Sequence, residues 1–176
     1  MNTRTLVMLS LFVGIGAVLH TIVPPILFGM KPDMLLSMMF LGILFVPQMK
    51  YVIILSITTG IVSALTTGVP GGQIANIIDK PITALLFLGL FLLMRSKVHE
   101  NMIAPLLTGI GTMISGAVFL SVALYIIGLM EGGFITLFVG IVLPATAVNT
   151  LVMIIVYPII QGIRKRTKPM ATLSNR

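Results

Sequence analysis

Cysteine and tryptophan are absent from the 176 residues, and only four side chains are acidic. Without cysteine there is no disulfide, no thiolate nucleophile and no Cys-ligated metal. Charge of either sign is scarce: 9% of the residues are charged against 57% hydrophobic, with a mean hydropathy of +1.16. A soluble domain carries about 25% charged residues because its surface must be covered. That excludes an ordinary soluble globule and leaves lipid as the solvent. In hydrocarbon only α-helices and closed barrels satisfy their backbone groups, and a barrel needs alternating apolar and polar residues. The runs here are continuous Leu, Ile, Val, Met and Phe, so they read as helices.

Enzyme signatures are missing too. There is no His-Glu-x-x-His helix, no Gly-x-Ser-x-Gly elbow, no phosphate-binding Gly-x-x-x-x-Gly-Lys loop and no Cys/His metal cluster. The acids are Asp33, Asp79, Glu100 and Glu131, too few and too scattered to suggest intramembrane catalysis. No cofactor is called for. The net charge of +7 invites a nucleic-acid reading, but five of the eleven basic residues (Arg164, Lys165, Arg166, Lys168 and Arg176) crowd the last thirteen positions beyond a hydrophobic run. A basic juxtamembrane tail is a topology signal and an attractor for anionic lipid headgroups.

The apolar runs predict a single bundle of six transmembrane helices over residues 1–163, followed by a basic cytoplasmic tail, 164–176. The spans fall at about 6–23, 34–46, 51–67, 82–94, 102–130 and 134–163; the second and fourth are short for roughly 30 Å of hydrocarbon. The first reads as a retained span, because Pro24, Pro25 and Phe28 follow it rather than a cleavage site. With the N-terminus inside, nine basic residues fall on cytoplasmic segments and two, Lys31 and Lys80, on outer loops. That bias places both termini in the cytoplasm of a cell with a multi-pass inner-membrane protein.

Small residues recur every fourth position: Ser10 and Gly14; Ser56, Gly60 and Ala64; Thr108, Thr112 and Gly116. Such stripes let membrane helices approach closely. Packing within the bundle is the plain reading and a docking surface the other. The thirteen methionines are core filler or the wall of a flat apolar pocket.

Chemistry concentrates on two outer segments, 24–33 and 68–81. Each ends in an acid, a base and a proline at a helix start: Lys31-Pro32-Asp33 and Asp79-Lys80-Pro81. Asp33 and Asp79 suit helix caps, yet capping does not explain a lysine beside each. Together with Gln73 and Asn76 the four charges suit a zwitterion, a lysine taking its carboxylate and an aspartate or amide its ammonium. His20 lies roughly 5 Å and Tyr125 roughly 7 Å below the outer ends of their helices at 1.5 Å per residue. Thr66, Thr67 and Thr83 lie at similar levels. His20 is a structural group or a ligand contact, and Tyr125 an interface anchor or a ligand contact. Asn149 is deeper, roughly 22 Å from Phe134. It either bonds another helix near the Pro144 kink or floors a ligand route.

Four strings carry a resemblance: Gly-Ala-Val-Leu-His at 16–20, Phe-Gly-Met-Lys-Pro-Asp at 28–33, Ser-Ala-Leu-Thr-Thr at 63–67, and Pro-Gly-Gly-Gln-Ile-Ala-Asn-Ile-Ile-Asp-Lys-Pro-Ile-Thr-Ala at 70–84. Over nearly the whole chain the sequence resembles the TrpP family of bacterial tryptophan transporters. That family is similar to the six-helix substrate-binding (S) components of energy-coupling-factor transporters. The resemblance implies an S-component-like bundle that takes up tryptophan through a pocket near the outer face, roofed by 24–33 and 68–81. The candidate contacts are His20, Phe28, Lys31, Asp33, Thr67, Gln73, Asn76, Asp79, Lys80, Tyr125 and Asn149. Phe28 and at least one of His20 and Tyr125 are expected on the indole ring, with Asn76 or Asn149 as candidate acceptor of its N–H. Many S components dock on an energy-coupling module through Ala-x-x-x-Ala on the first helix; the corresponding stripe here departs from that, as Ser10-x-x-x-Gly14. The chain has no ATP-binding motif, so ATP coupling would have to come from such a partner. Two other readings stay open: an S-component-type binder of a vitamin or another aromatic compound, and a membrane adaptor that holds no small ligand.

Overall fold

The computed structural model describes residues 2–24, 33–69, 71–128 and 132–167, with the backbone alone at 100, 101 and 164–167. Among these residues the chain is mostly helical, with short non-helical turns between the helices. The helices are α1 (Thr3–Ile22), α2 (Met34–Phe45), α3 (Met49–Thr66), α4 (Gly72–Met94), α5 (Glu100–Ser121), α6 (Phe134–Leu137) and α7 (Leu143–Thr167). A π-helical turn, Val122–Ile127, extends α5, and a second, Phe138–Val142, joins α6 to α7. The result is six rods. Five are long and apolar enough to cross a membrane: Thr3–Ile22, Met49–Thr66, Gly72–Met94, Met102–Ile127 and Phe134–Ile163. The expected six-helix membrane bundle is the architecture observed.

The sixth rod, α2, is the exception and the centre. Its twelve residues reach only about 18 Å at 1.5 Å per residue. Met34 through Leu44 are all buried, as expected of a helix that is apolar all round. It packs against α1, α3, α4, α5 and α7. Asp33 caps it, accepting from the Leu36 N–H at 2.9 Å. Phe40 of α2 stacks on Phe87 of α4 with ring centroids 4.1 Å apart. The main apolar core gathers here, with Leu9, Phe12, Tyr51, Leu107, Met153 and Tyr157 around α2. That core fills the half of the bundle nearer the N-terminus.

The fourth span corrects the sequence reading. A polar loop was expected over 68–81 before a short span, 82–94; instead α4 begins at Gly72 and runs 23 residues. Asn76, Asp79 and Lys80 therefore ride on a helix, and Pro81 lies inside it. Nor does Asp79 cap a helix end. Proline removes one helical hydrogen bond, a loss membrane helices tolerate when neighbours satisfy the freed groups. Two charges inside a span are costly alone; here they are neutralised by contacts the next subsection describes. The turn before α4 depends on Gly71, whose φ of 73° is left-handed and open to glycine at little cost.

The small-residue stripes divide. Gly60 faces α4 so closely that a Cβ there would stand 3.2 Å from the Asn76 carbonyl oxygen. Gly116 faces the π-turn, where a Cβ would overlap both methyls of Val142. Ser10 and Gly14 are exposed on α1, and nothing lies within 4 Å of a Cβ built on Gly14.

Candidate functional site

The half of the bundle away from the N-terminus is hollow. A cavity of about 600 Å³ opens among the last turns of α1, α3 and α5 and the first turns of α2, α4 and α7. Volumes of roughly 300–1,000 Å³ are usual for small-ligand clefts. One side is polar, formed by His20, Asp33, Asn76, Asp79 and Lys80. The opposite wall is apolar, with Phe119, Leu120, Ile141, Val142 and Ala145. Thr112 and Asn149 lie at the deep end.

The polar side is built around Lys80. Its Nζ donates to Asp33 Oδ2 at 2.8 Å and to Asp79 Oδ2 at 2.9 Å. Thr83 donates to Asp79 Oδ1 and Ser115 to Asp79 Oδ2, each at 2.7 Å. One lysine thus ties α2, α4 and, through Asp79, α5 together. His20 Nδ1 stands 4.0 Å from Asp33 Oδ1. For Asp33, at the helix end, burial opposes ionisation; the Lys80 ammonium, and His20 behind it, outweigh that and hold the carboxyl below its ordinary range. Lys80 and Asp79 are buried and Asp33 is half-buried; removing either member of the buried pair would strand a charge.

The deep end is built differently. Asn149 is fully buried, and its Nδ2 donates to Thr112 Oγ1 at 3.4 Å. Its Oδ1 has no hydrogen-bond partner among the described residues. A buried acceptor without a partner carries a penalty of about 1–3 kcal/mol. Its neighbourhood explains the π-turn. Pro144 cannot donate to the carbonyl of Gly140, and its ring crowds that carbonyl; widening to π geometry over Phe138–Val142 relieves the clash. π-bulges often occur at functional sites, and Ile141 and Val142 of this one line the cavity.

Of the expected contacts, His20, Asp33, Thr67, Asn76, Asp79, Lys80 and Asn149 all reach the cavity wall. Gln73 and Tyr125 are exposed and do not line it. Tyr125 instead stacks on Phe134, ring centroids 6.5 Å apart, at 74% exposure. Asn76 Nδ2 is engaged with the Gly72 carbonyl at 2.9 Å. Phe28 and Lys31 lie outside the described residues, as do Glu131 and 168–176. The sequence reading missed Ser63, Ser115 and Phe119, which line the cavity. The Thr108-Thr112-Gly116 stripe was the signal for α5: it faces the bundle interior, and Ser115 and Phe119 flank it.

A multi-pass helical membrane protein whose described residues enclose a polar-walled, ligand-sized cavity has the architecture of a membrane transport protein. The profile of the family described as Tryptophan transporter TrpP matches residues 2–165, and the chain belongs to that family. It is 56% identical over 170 residues to a Bacillus subtilis protein named "Probable tryptophan transport protein", covering 97% of this chain and 98% of that one. Proteins of the same name from Clostridium acetobutylicum and Clostridium perfringens are 42% identical over 157 residues (89% and 91% of the two chains) and 33% identical over 174 residues (94% and 95%). No solved structure matches the chain.

Proposed function

We propose that this protein takes up tryptophan across the cytoplasmic membrane, holding it in the cavity with its amino-acid head at the polar side and its indole toward Asn149. The carrying observation is the cavity's division: a charged wall at 33, 79 and 80, an apolar wall opposite, and an amide acceptor at depth. A large flat ring with a single N–H needs this combination. On the sequence pattern of 24–33, Lys31 is the candidate partner for the substrate carboxylate and Phe28 a candidate contact of the ring.

The cavity opens at the end opposite the N-terminus. With both termini in the cytoplasm, that end faces out. Placing Lys80 inside a helix leaves Lys31 alone as an outer basic residue against nine inner ones, which sharpens the orientation bias. The tail, 164–176, then meets anionic headgroups on the inner surface. An energy-coupling partner, if used, docks on the exposed Ser10–Gly14 face of α1.

Radiolabelled tryptophan uptake by cells expressing this protein alone, with competition by other amino acids and aromatic compounds, tests the reading. Saturable uptake displaced by unlabelled tryptophan is expected. Displacement by a vitamin and not by tryptophan would reassign the ligand. Ligand-induced thermal stabilisation without uptake would point to a coupling partner, and neither signal would leave the adaptor reading.

A further inference from the structure

This inference rests on the tryptophan reading and deepens it: it concerns which half of the zwitterion the described wall holds. The sequence suggests that a lysine, Lys31 or Lys80, receives the carboxylate and an aspartate or amide the ammonium. The geometry assigns Lys80 otherwise. Its ammonium is in contact with two carboxylates, at 2.8 and 2.9 Å, and its side chain is only 2% exposed. A substrate carboxylate brought to Lys80 would meet two anions already in place and be repelled by both.

The two aspartates are not equivalent. Asp79 is 0% exposed and accepts from Lys80, Thr83 and Ser115, so its acceptor sites are largely occupied. Asp33 keeps 27% of its side chain open on the cavity wall, with Lys80 and the Leu36 N–H as bonded partners. An ionised carboxylate offers about four acceptor positions, so Asp33 retains capacity toward the cavity. Among the described lining residues two carboxylates face one ammonium, a surplus of one negative charge. His20, 4.0 Å from Asp33 and itself on the cavity wall, removes that surplus only when protonated. A surplus negative charge on a partly buried wall favours an arriving cation.

We propose that Asp33 is the anchor for the ligand's ammonium group and that Lys80 is its fixed counter-charge, so that the wall selects aromatic primary amines and treats the carboxylate as secondary. Losing a charge-assisted hydrogen bond costs about 1.5–3 kcal/mol, or roughly ten- to hundredfold in affinity.

The test uses the full-length protein in detergent or nanodiscs and three probes: tryptophan, tryptamine, which lacks the carboxylate, and indole-3-propionate, which lacks the ammonium. Indole-3-propionate should bind about ten- to hundredfold more weakly than tryptophan, and tryptamine should lose less. Asp33→Asn keeps a good N-cap, so α2 stays capped. It should weaken tryptophan and tryptamine about tenfold or more and leave indole-3-propionate no weaker, since one repelling anion is gone. Indole-3-propionate binding as tightly as tryptamine would overturn the anchor while tryptophan binding stood. Equal weakening of all three probes by Asp33→Asn would also overturn it, as the mark of a disturbed pocket. Tryptamine binding without tryptophan binding would uphold the anchor and overturn the tryptophan reading.

Discussion

Asn149 and Lys80 show how differently buried polar residues behave in this bundle. Asn149 is left with an unpartnered acceptor, a standing cost that a ligand N–H can cancel. Asn149→Ala should therefore weaken tryptophan by about 1–3 kcal/mol, roughly five- to 150-fold. It should leave 1-methyltryptophan, which has no indole N–H, unaffected. Isothermal titration with both ligands checks this; equal losses would mean that Asn149 only shapes the cavity. Lys80 has its partners already. Lys80→Met should destabilise the protein by about 3–5 kcal/mol by stranding Asp79, and adding Asp79→Asn should recover a large part. Denaturant titration in mild detergent reads both. The sequence showed an acid and a base at 79 and 80 and suggested them as partners of a zwitterionic ligand. It did not show that Asp33, 47 residues away, completes the cluster, because that contact exists only once α2 lies against α4.

The helices differ in how much of them the hydropathy pattern revealed. Runs such as 6–23 and 134–163 were legible to within a few residues, since an unbroken apolar stretch has no alternative in lipid. The start of α4 was not. Gly-Gly, Asn, Asp, Lys and Pro over 71–81 carry every local signal of a loop, and tertiary pairing overrides them. Close approach is also a matter of elements. Gly116 lets α5 lie against the π-turn at Val142, where the cavity wall is formed. Gly116→Ala should cost about 1–3 kcal/mol through overpacking and lower tryptophan affinity by pushing that wall. Val142→Ala in the same chain should restore much of the stability. A thermal melt of the single and double variants measures the rescue, and its absence would place the strain elsewhere.

At the scale of the molecule, an all-apolar core around α2 occupies one end and the cavity the other. Orientation decides which end meets the outside. The chain has no cysteine, so single cysteines can be placed at Gln73 and Lys97, both exposed, without background. An impermeant thiol reagent on intact cells should label position 73 and spare 97; the reverse pattern would invert the topology. The sequence by itself determined that this chain lives in a membrane, crosses it as helices and belongs with tryptophan transporters. Lipid leaves few choices of secondary structure, and the motif strings are specific. Only the tertiary structure decided that α2 is a short buried pillar, that Lys80 is a counter-charge rather than a free cation, and that Tyr125 points away from the cavity. Those outcomes depend on which faces meet across the bundle. A charge costs or contributes according to its neighbours in space, and residues far apart in the chain supply those neighbours.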